Sequence, residues 1–283
     1  MKVAAYQAPL LAAGSMDALS LIRTRVEWCE AEGVTILCCP EAILGGLADY
    51  GAHPTQFAIA ADPRRLDSAL APLASDAVTT IVGFTELADG GRLYNSAAVF
   101  ERGSVVGLYR KLHPAINRSV YEAGQKVPVF QIGELTLGIV ICNDSNYFEP
   151  ARLMAAHGAA ALFVPTNNGL PPARARAELV AQTRNVDIAR AVENSVWVIR
   201  ADVAGRTDEL VSYGSSEIVD PDGIIVQSAP LMSEGLIVAE IDTVPRATNK
   251  IDVKKDASVI GDLTRAHIVI EEERSGRTEY SSE

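Results

Sequence analysis

The chain of 283 residues has no apolar run near the ~20 residues that would span a bilayer. Its opening, MKVAAYQAPLLAAG, carries one lysine and no apolar core of signal-peptide length, so no export signal is read and a cytoplasmic protein is expected. Positive charge is scarce. Against 36 Asp and Glu there are 25 Lys and Arg, a net charge of −11, which speaks against nucleic acid or an anionic membrane surface as partner. Cysteine is scarce too. Cys29, Cys38, Cys39 and Cys142 show no paired metal-type spacing and are expected as free thiols. The four histidines, at 53, 113, 157 and 267, form no H-E-x-x-H, so metal catalysis has no support. Neither G-x-x-x-x-G-K-[ST] nor G-x-G-x-x-G occurs, which removes both phosphate-cradling loops, and no G-x-S-x-G elbow signals a serine hydrolase.

What is present is an ordinary globular composition, 48% hydrophobic and 22% charged. Residues 2–7 pattern as a strand, and 15–32 carry Leu19, Ile22, Val26 and Cys29 on one helical face. VTILCC (34–39) and TTIVGF (79–84) are continuous apolar runs of the kind buried on both faces of a sheet, with a helix over 63–77 between them. LYNSAAVF and SVVGLYRKL form a hairpin across Glu101-Arg102-Gly103, and 128–142 form another around Gly133-Glu134. Helices over 150–159 and 173–194 alternate with strands ALFVPT and SVWVIRADV. EIVDPDGIIV turns at 220–223, and GLIVAEID closes the regular part. Buried strands alternating with helices predict a mixed α/β domain with helices covering the sheets. No linker divides it, so residues 1–245 read as one domain. Residues 246–283 read as a charged C-terminal extension, either disordered or wrapped on a partner.

Three apolar runs end on reactive side chains: CCPEAILGG at Glu41, GLYRKLHP at Lys111 and GIVICND at Cys142. Each has an ordinary alternative: a loop carboxylate, a solvated lysine, a thiol finishing a core strand. Strand ends are also where ligands meet open α/β sheets. Together the three fit one chemistry. A thiol needs a base to become a good nucleophile, a carbonyl under attack needs a cation for its oxyanion, and a carboxylate can carry the proton between thiol and leaving amine.

With these residues the sequence resembles the nitrilase superfamily of carbon–nitrogen hydrolases, whose catalytic set is Glu, Lys and Cys in that order. The resemblance covers roughly residues 1–245 through VAAYQAP, LCCPEAILGG, LYNSAAVF, GLYRKLHP and ARAVENSVWV. Glu41 lies 70 residues before Lys111, which lies 31 before Cys142, spacings similar to the family's. The cysteine motif reads through Cys142, Asp144, Tyr147, Phe148, Glu149 and Arg152, with Phe148 where the family has proline. The resemblance implies a four-layer α-β-β-α sandwich, a homodimer or higher homo-oligomer with the C-terminal extension crossing to a partner, and no cofactor. It also implies a cycle in which Glu41 is the base, Cys142 the nucleophile, and Lys111 with the backbone N–H of Asn143 the oxyanion donors.

Two departures bear on specificity. Many relatives carry a second glutamate after the lysine; aligning VYEAG leaves Asn117 near its place, with Glu122 as a displaced substitute or a surface turn residue. Cys-Asn-Asp in place of the Cys-Trp-Glu common in nitrilases favours amides over nitriles. It also resembles the motif of N-carbamoyl-amino-acid amidohydrolases, but their two carboxylate-gripping arginines are here Ser145 and Asn146, so a neutral amide is expected. Tyr50, Tyr147, Asn167 and Asn168 are candidate pocket residues. A non-enzymatic scaffold on the same fold, a redox-sensing Cys142, and acyl transfer to an amine instead of water are the other classes.

Overall fold

The structure is a computed structural model describing residues 1–15 and 17–246. The first half holds β1 (Lys2–Pro9), α1 (Asp17–Glu32), β2 (Ile36–Cys38), β3 (Ile59–Ala60), α2 (Pro63–Leu70), β4 (Thr79–Leu87), β5 (Leu93–Glu101) and β6 (Ser104–Arg110). Then come β7 (Val129–Ile132), β8 (Leu135–Ile139), α3 (Phe148–Ala156), β9 (Ala161–Pro165) and α4 (Glu178–Asn194). The chain closes with β10 (Trp197–Ala201), β11 (Val203–Arg206), β12 (Val211–Ser212), β13 (Glu217–Val219), β14 (Ile225–Ser228) and β15 (Gly235–Glu240).

Two sheets result. One runs β12-β11-β1-β2-β4-β5-β6, with β15 also paired to β1 and β3 to β4; the other runs β14-β13-β10-β9-β8-β7. The central strands β1, β2 and β4 are mutually parallel, as are β8, β9 and β10, which explains their unbroken apolar runs. Alternation along each strand builds the layers. Val3, Ala5, Ile36 and Cys38 pack with Leu137, Ile139 and Phe163 of the facing sheet. Their neighbours Ala4, Tyr6, Leu37 and Cys39 pack with Ile22 and Val26 of α1 and Leu66 and Leu70 of α2. On the far side α3 and α4 add Ala151, Met154 and Ala191. The expected four-layer α-β-β-α sandwich is what forms, as one domain. Each fully buried Leu or Ile side chain contributes roughly 1.5–3 kcal/mol to it.

Element boundaries differ where proline or a buried polar residue intervenes. The helix expected over 63–77 ends at Leu70 and gives way to a tight turn over 71–73, because Pro72 removes an amide donor. The helix expected from 173 begins at Glu178, since residues 171–175 form turns onto the Pro171 carbonyl. The single strand expected over 195–203 is two strands in different sheets, β10 and β11, and the chain crosses between the sheets at Asp202. Among the described residues no helix is long and apolar enough to cross a membrane. The C-terminal extension expected to contact a partner lies, beyond Arg246, outside the described residues.

Candidate active site

Glu41 leaves the end of β2 in a turn pressed flat on β4. A Cβ at Gly83 would lie 2.5 Å from both Ala42 N and Pro40 O and 2.8 Å from the Glu41 Cα, so only glycine fits beneath this turn. The Glu41 amide donates to the Thr166 carbonyl at 3.2 Å, linking it to the end of β9. Its carboxylate accepts three hydrogen bonds: from Lys111 Nζ at 2.5 Å, Asn95 Nδ2 at 2.7 Å and the Asn167 amide at 2.9 Å.

Lys111 follows β6, its amide donating to Asn95 O at 2.8 Å. The Lys111 and Glu41 side chains are only 4% and 1% exposed. Burial disfavours the ammonium, but Glu41, Cys142 and Asp144 together outweigh burial and hold the Lys111 pKa above the ordinary lysine value.

Cys142 begins a short helical turn, Cys142–Asn146, straight after the buried run Ile139-Val140-Ile141. Its φ is +44°, a left-handed conformation that costs a residue with a side chain about 1–3 kcal/mol and is concentrated at functional sites. Burial, reinforced by Glu41, pushes the thiol up to about 12 against the pull of Lys111 and Arg200. At neutral pH the resting group is therefore the thiol, and a base is required to use it.

Asp144 ties this turn to the lysine strand. Fully buried, it accepts from the amides of Ile141 (3.1 Å), Leu112 (3.1 Å) and His113 (2.8 Å) and from the Tyr109 hydroxyl (2.8 Å). Beneath the turn lies Arg200, 2% exposed and bonded through Nε and Nη2 to Asp187, each at 2.5 Å. Its Nη1 donates to Thr166 Oγ1 at 2.5 Å and its Nη2 to Ser145 Oγ at 3.0 Å. Ser145 Oγ in turn donates to the Cys142 carbonyl at 2.7 Å. One guanidinium thus braces the backbone on both sides of the site. Burial opposes its charge, and Asp187, Cys142 and Asp202 together more than restore it.

Glu41, Lys111 and Cys142 line one cavity of about 110 Å³, together with Tyr50, Asn167 and Asn168. Asn168 Oδ1 lies 4.0 Å from Cys142 Sγ, and its amide groups are held by Asp202 at 3.0 and 2.9 Å. Tyr147 does not reach this wall. The turn after Cys142 throws it outward, where it stacks on His113 with ring centroids 3.7 Å apart. Asn143 spends its side chain on the His113 carbonyl at 3.0 Å. Asn117 is exposed and outside the cavity, and Glu122, also exposed, accepts from Tyr94 OH at 3.4 Å. Instead the neighbouring Tyr121 turns in, its hydroxyl 2.7 Å from both Ala48 N and Thr85 Oγ1. The sequence reading passed over Asn95, Asp202 and Arg200; only Arg200, a single charge inside the apolar strand Trp197–Ala201, carries a local signal, a buried charge that needs a partner. Among the described residues no cluster of His, Cys, Asp and Glu suits a metal ion.

The carbon-nitrogen hydrolase family model matches residues 2–248. A Pseudomonas protegens protein described as a hydrolase in the pqqF 5′ region is 31% identical over 86% of this chain and 83% of its own length. An N-carbamoylputrescine amidase of Solanum tuberosum is 33% identical over 57% of this chain and 58% of its own. Among solved structures, an amidase from Nesterenkonia sp. superposes with a TM-score of 0.74 at 22% identity, covering 92% of this chain and 96% of that one.

Proposed function

This chain belongs to the carbon–nitrogen hydrolases of the nitrilase superfamily, and from that premise we propose that it cleaves the non-peptide C–N bond of a small amide through a thioester on Cys142. The observation that carries this reading is the buried contact of Glu41 with Lys111, 2.5 Å apart, in the same cavity as the thiol.

Glu41 takes the Cys142 proton as sulfur adds to the carbonyl carbon. The oxyanion is met by Lys111 Nζ and the Asn143 amide; losing one such donor typically costs ~2.7–4 kcal/mol, about 10²–10³ in rate. Glu41 passes its proton to the nitrogen, the C–N bond breaks, and ammonia or amine leaves the acyl group on sulfur. Water then gives its proton to Glu41 and adds to the thioester. The C–S bond breaks, the acid departs, and the thiol regains the proton. With Glu122 turned outward and Asn117 not an acid, Glu41 performs every proton transfer. The small cavity, well below the ~300–1,000 Å³ of drug-sized sites, supports a short acyl group. Self-association is expected with the family, and exposed Phe148, Val192 and Ile224 are apolar surface for it.

The potato relative is named for an N-carbamoyl compound, so carbamoyl nitrogen belongs beside simple amides among the candidates. The test is ammonia release from a panel of aliphatic amides, ω-amides, carbamoyl compounds and nitriles. Turnover of amides that vanishes in Cys142→Ala upholds the reading. Nitriles hydrolysed in preference to amides, or activity surviving Cys142→Ala, would overturn it.

A further inference from the structure

Four charged side chains line the catalytic cavity: Glu41, Lys111, Asp49 and Arg174. The first two neutralise one another. Asp49 is occupied as a loop clamp, its two oxygens accepting from Ser119 Oγ at 2.9 and 3.0 Å and from the Val120 amide at 2.8 Å. Arg174 is different. Its guanidinium has no hydrogen-bond or ion-pair partner among the described residues. Only its backbone is fixed, through its amide to Pro171 O at 2.8 Å, in a turn stiffened by Pro171-Pro172 and pinned by the Leu170–Val211 pair at 3.0 and 2.8 Å. Tyr50 lines the same cavity as Arg174, Glu41 and Cys142, so the guanidinium and the reacting groups border one space.

We propose that Arg174 is a specificity residue, and that the amide cleaved at Cys142 carries a carboxylate at its far end. This rests on the amide-hydrolase reading of the same cavity. A guanidinium offers a planar pair of donors matched to a carboxylate, and an exposed one lining a cavity with no partner of its own keeps that pair free. The alternative places for a carboxylate clamp are occupied elsewhere: Ser145 bonds the Cys142 carbonyl, and Asn146, exposed, donates to Asn143 Oδ1 at 2.9 Å. The cavity of about 110 Å³ restricts the tether between amide and carboxylate to a short chain. A monoamide of a short dicarboxylic acid and the carbamoyl derivative of a short amino acid share this chemistry. An amide ending in an ammonium is disfavoured by the charge of Arg174.

The test compares succinamate with uncharged levulinamide and cationic γ-aminobutyramide, and sets N-carbamoylglycine beside them to separate the two carboxylate sources. In parallel, each compound's protection of Cys142 from iodoacetamide is read by mass. The wild type should favour succinamate or N-carbamoylglycine over levulinamide in kcat/KM by at least ~10-fold, the scale of one charged hydrogen bond. Arg174→Met should erase that preference by lowering kcat/KM for succinamate and N-carbamoylglycine to the level of levulinamide, and Arg174→Glu should move it towards γ-aminobutyramide. Equal use of charged and neutral amides, or equal losses on all of them in Arg174→Met, would overturn the assignment and leave amide hydrolysis standing. Carboxylate-selective protection that depends on Arg174, without turnover of any amide, would uphold the carboxylate site and remove the hydrolase reading. Neither turnover nor protection would remove both.

Discussion

Removing Asp187 should unfold this protein more readily than almost any change of equal size, because it strands a buried charge. Arg200 is 2% exposed and makes two of its four side-chain hydrogen bonds to Asp187. Asp187→Ala leaves the guanidinium with only two hydroxyls, and breaking a buried pair from one side costs about 3–5 kcal/mol. With a urea m-value of ~3 kcal/mol/M that lowers the denaturation midpoint by about 1–2 M. The double variant Asp187→Leu/Arg200→Met removes both charges together and should recover most of the loss, since apolar replacements of buried pairs are often neutral or better. Activity separates the two effects. The double variant is stable but lacks the brace from Arg200 through Ser145 to the Cys142 carbonyl, so its kcat should remain low. The assay is urea unfolding followed by tryptophan fluorescence for wild type, single and double variants. A midpoint shift worth less than ~1 kcal/mol in Asp187→Ala would refute the reasoning, because a stranded buried charge cannot be that cheap.

Gly83→Ala drives a methyl into the Glu41 turn, 2.5 Å from Ala42 N and Pro40 O. It should cost about 1–3 kcal/mol in an unfolding titration and lower kcat, because the atoms displaced carry Glu41, the proposed general base. Burial, reinforced by Asp187, raises the Glu217 carboxyl from its ordinary 4.5 to about 7 against its ion pair with Arg184. The folded state therefore holds this proton more tightly than the unfolded chain, so its contribution is full below about 4.5 and is lost as pH rises through about 7. Glu217→Gln should flatten the pH dependence of the urea midpoint across that window by up to ~3 kcal/mol; an unchanged slope would mean that Glu217 does not titrate there.

The buried strands were legible because β1, β2, β4, β8 and β9 are apolar runs bounded by turns, which pointed to a mixed α/β domain, whereas the four-layer sandwich followed only from the family resemblance. Glu41, Lys111 and Cys142 were legible for the same reason: each stands where such a run stops. Residues that act from inside an element were hidden. Asn95 sits in the middle of LYNSAAVF and looks like a strand irregularity until Glu41 arrives from 54 residues away. Asp202 interrupts what reads as one strand, and nothing local announces that the chain changes sheets there. Arg174 was absorbed into an Ala-rich helical pattern, whereas the two prolines before it hold it in a loop at the cavity. Tyr147 shows the opposite failure. Nearness to Cys142 in sequence suggested a pocket wall, and the left-handed backbone at Cys142 with the turn that follows points the ring away.

The central claim, that sulfur of Cys142 carries the acyl group, is tested most directly by acid-quenching the enzyme during turnover of its best amide and mapping the peptides by mass. The prediction is the mass of the substrate's acyl group on the peptide containing Cys142, released by hydroxylamine as a thioester should be. Acyl mass on another residue, or turnover that continues in Cys142→Ala, would contradict the account.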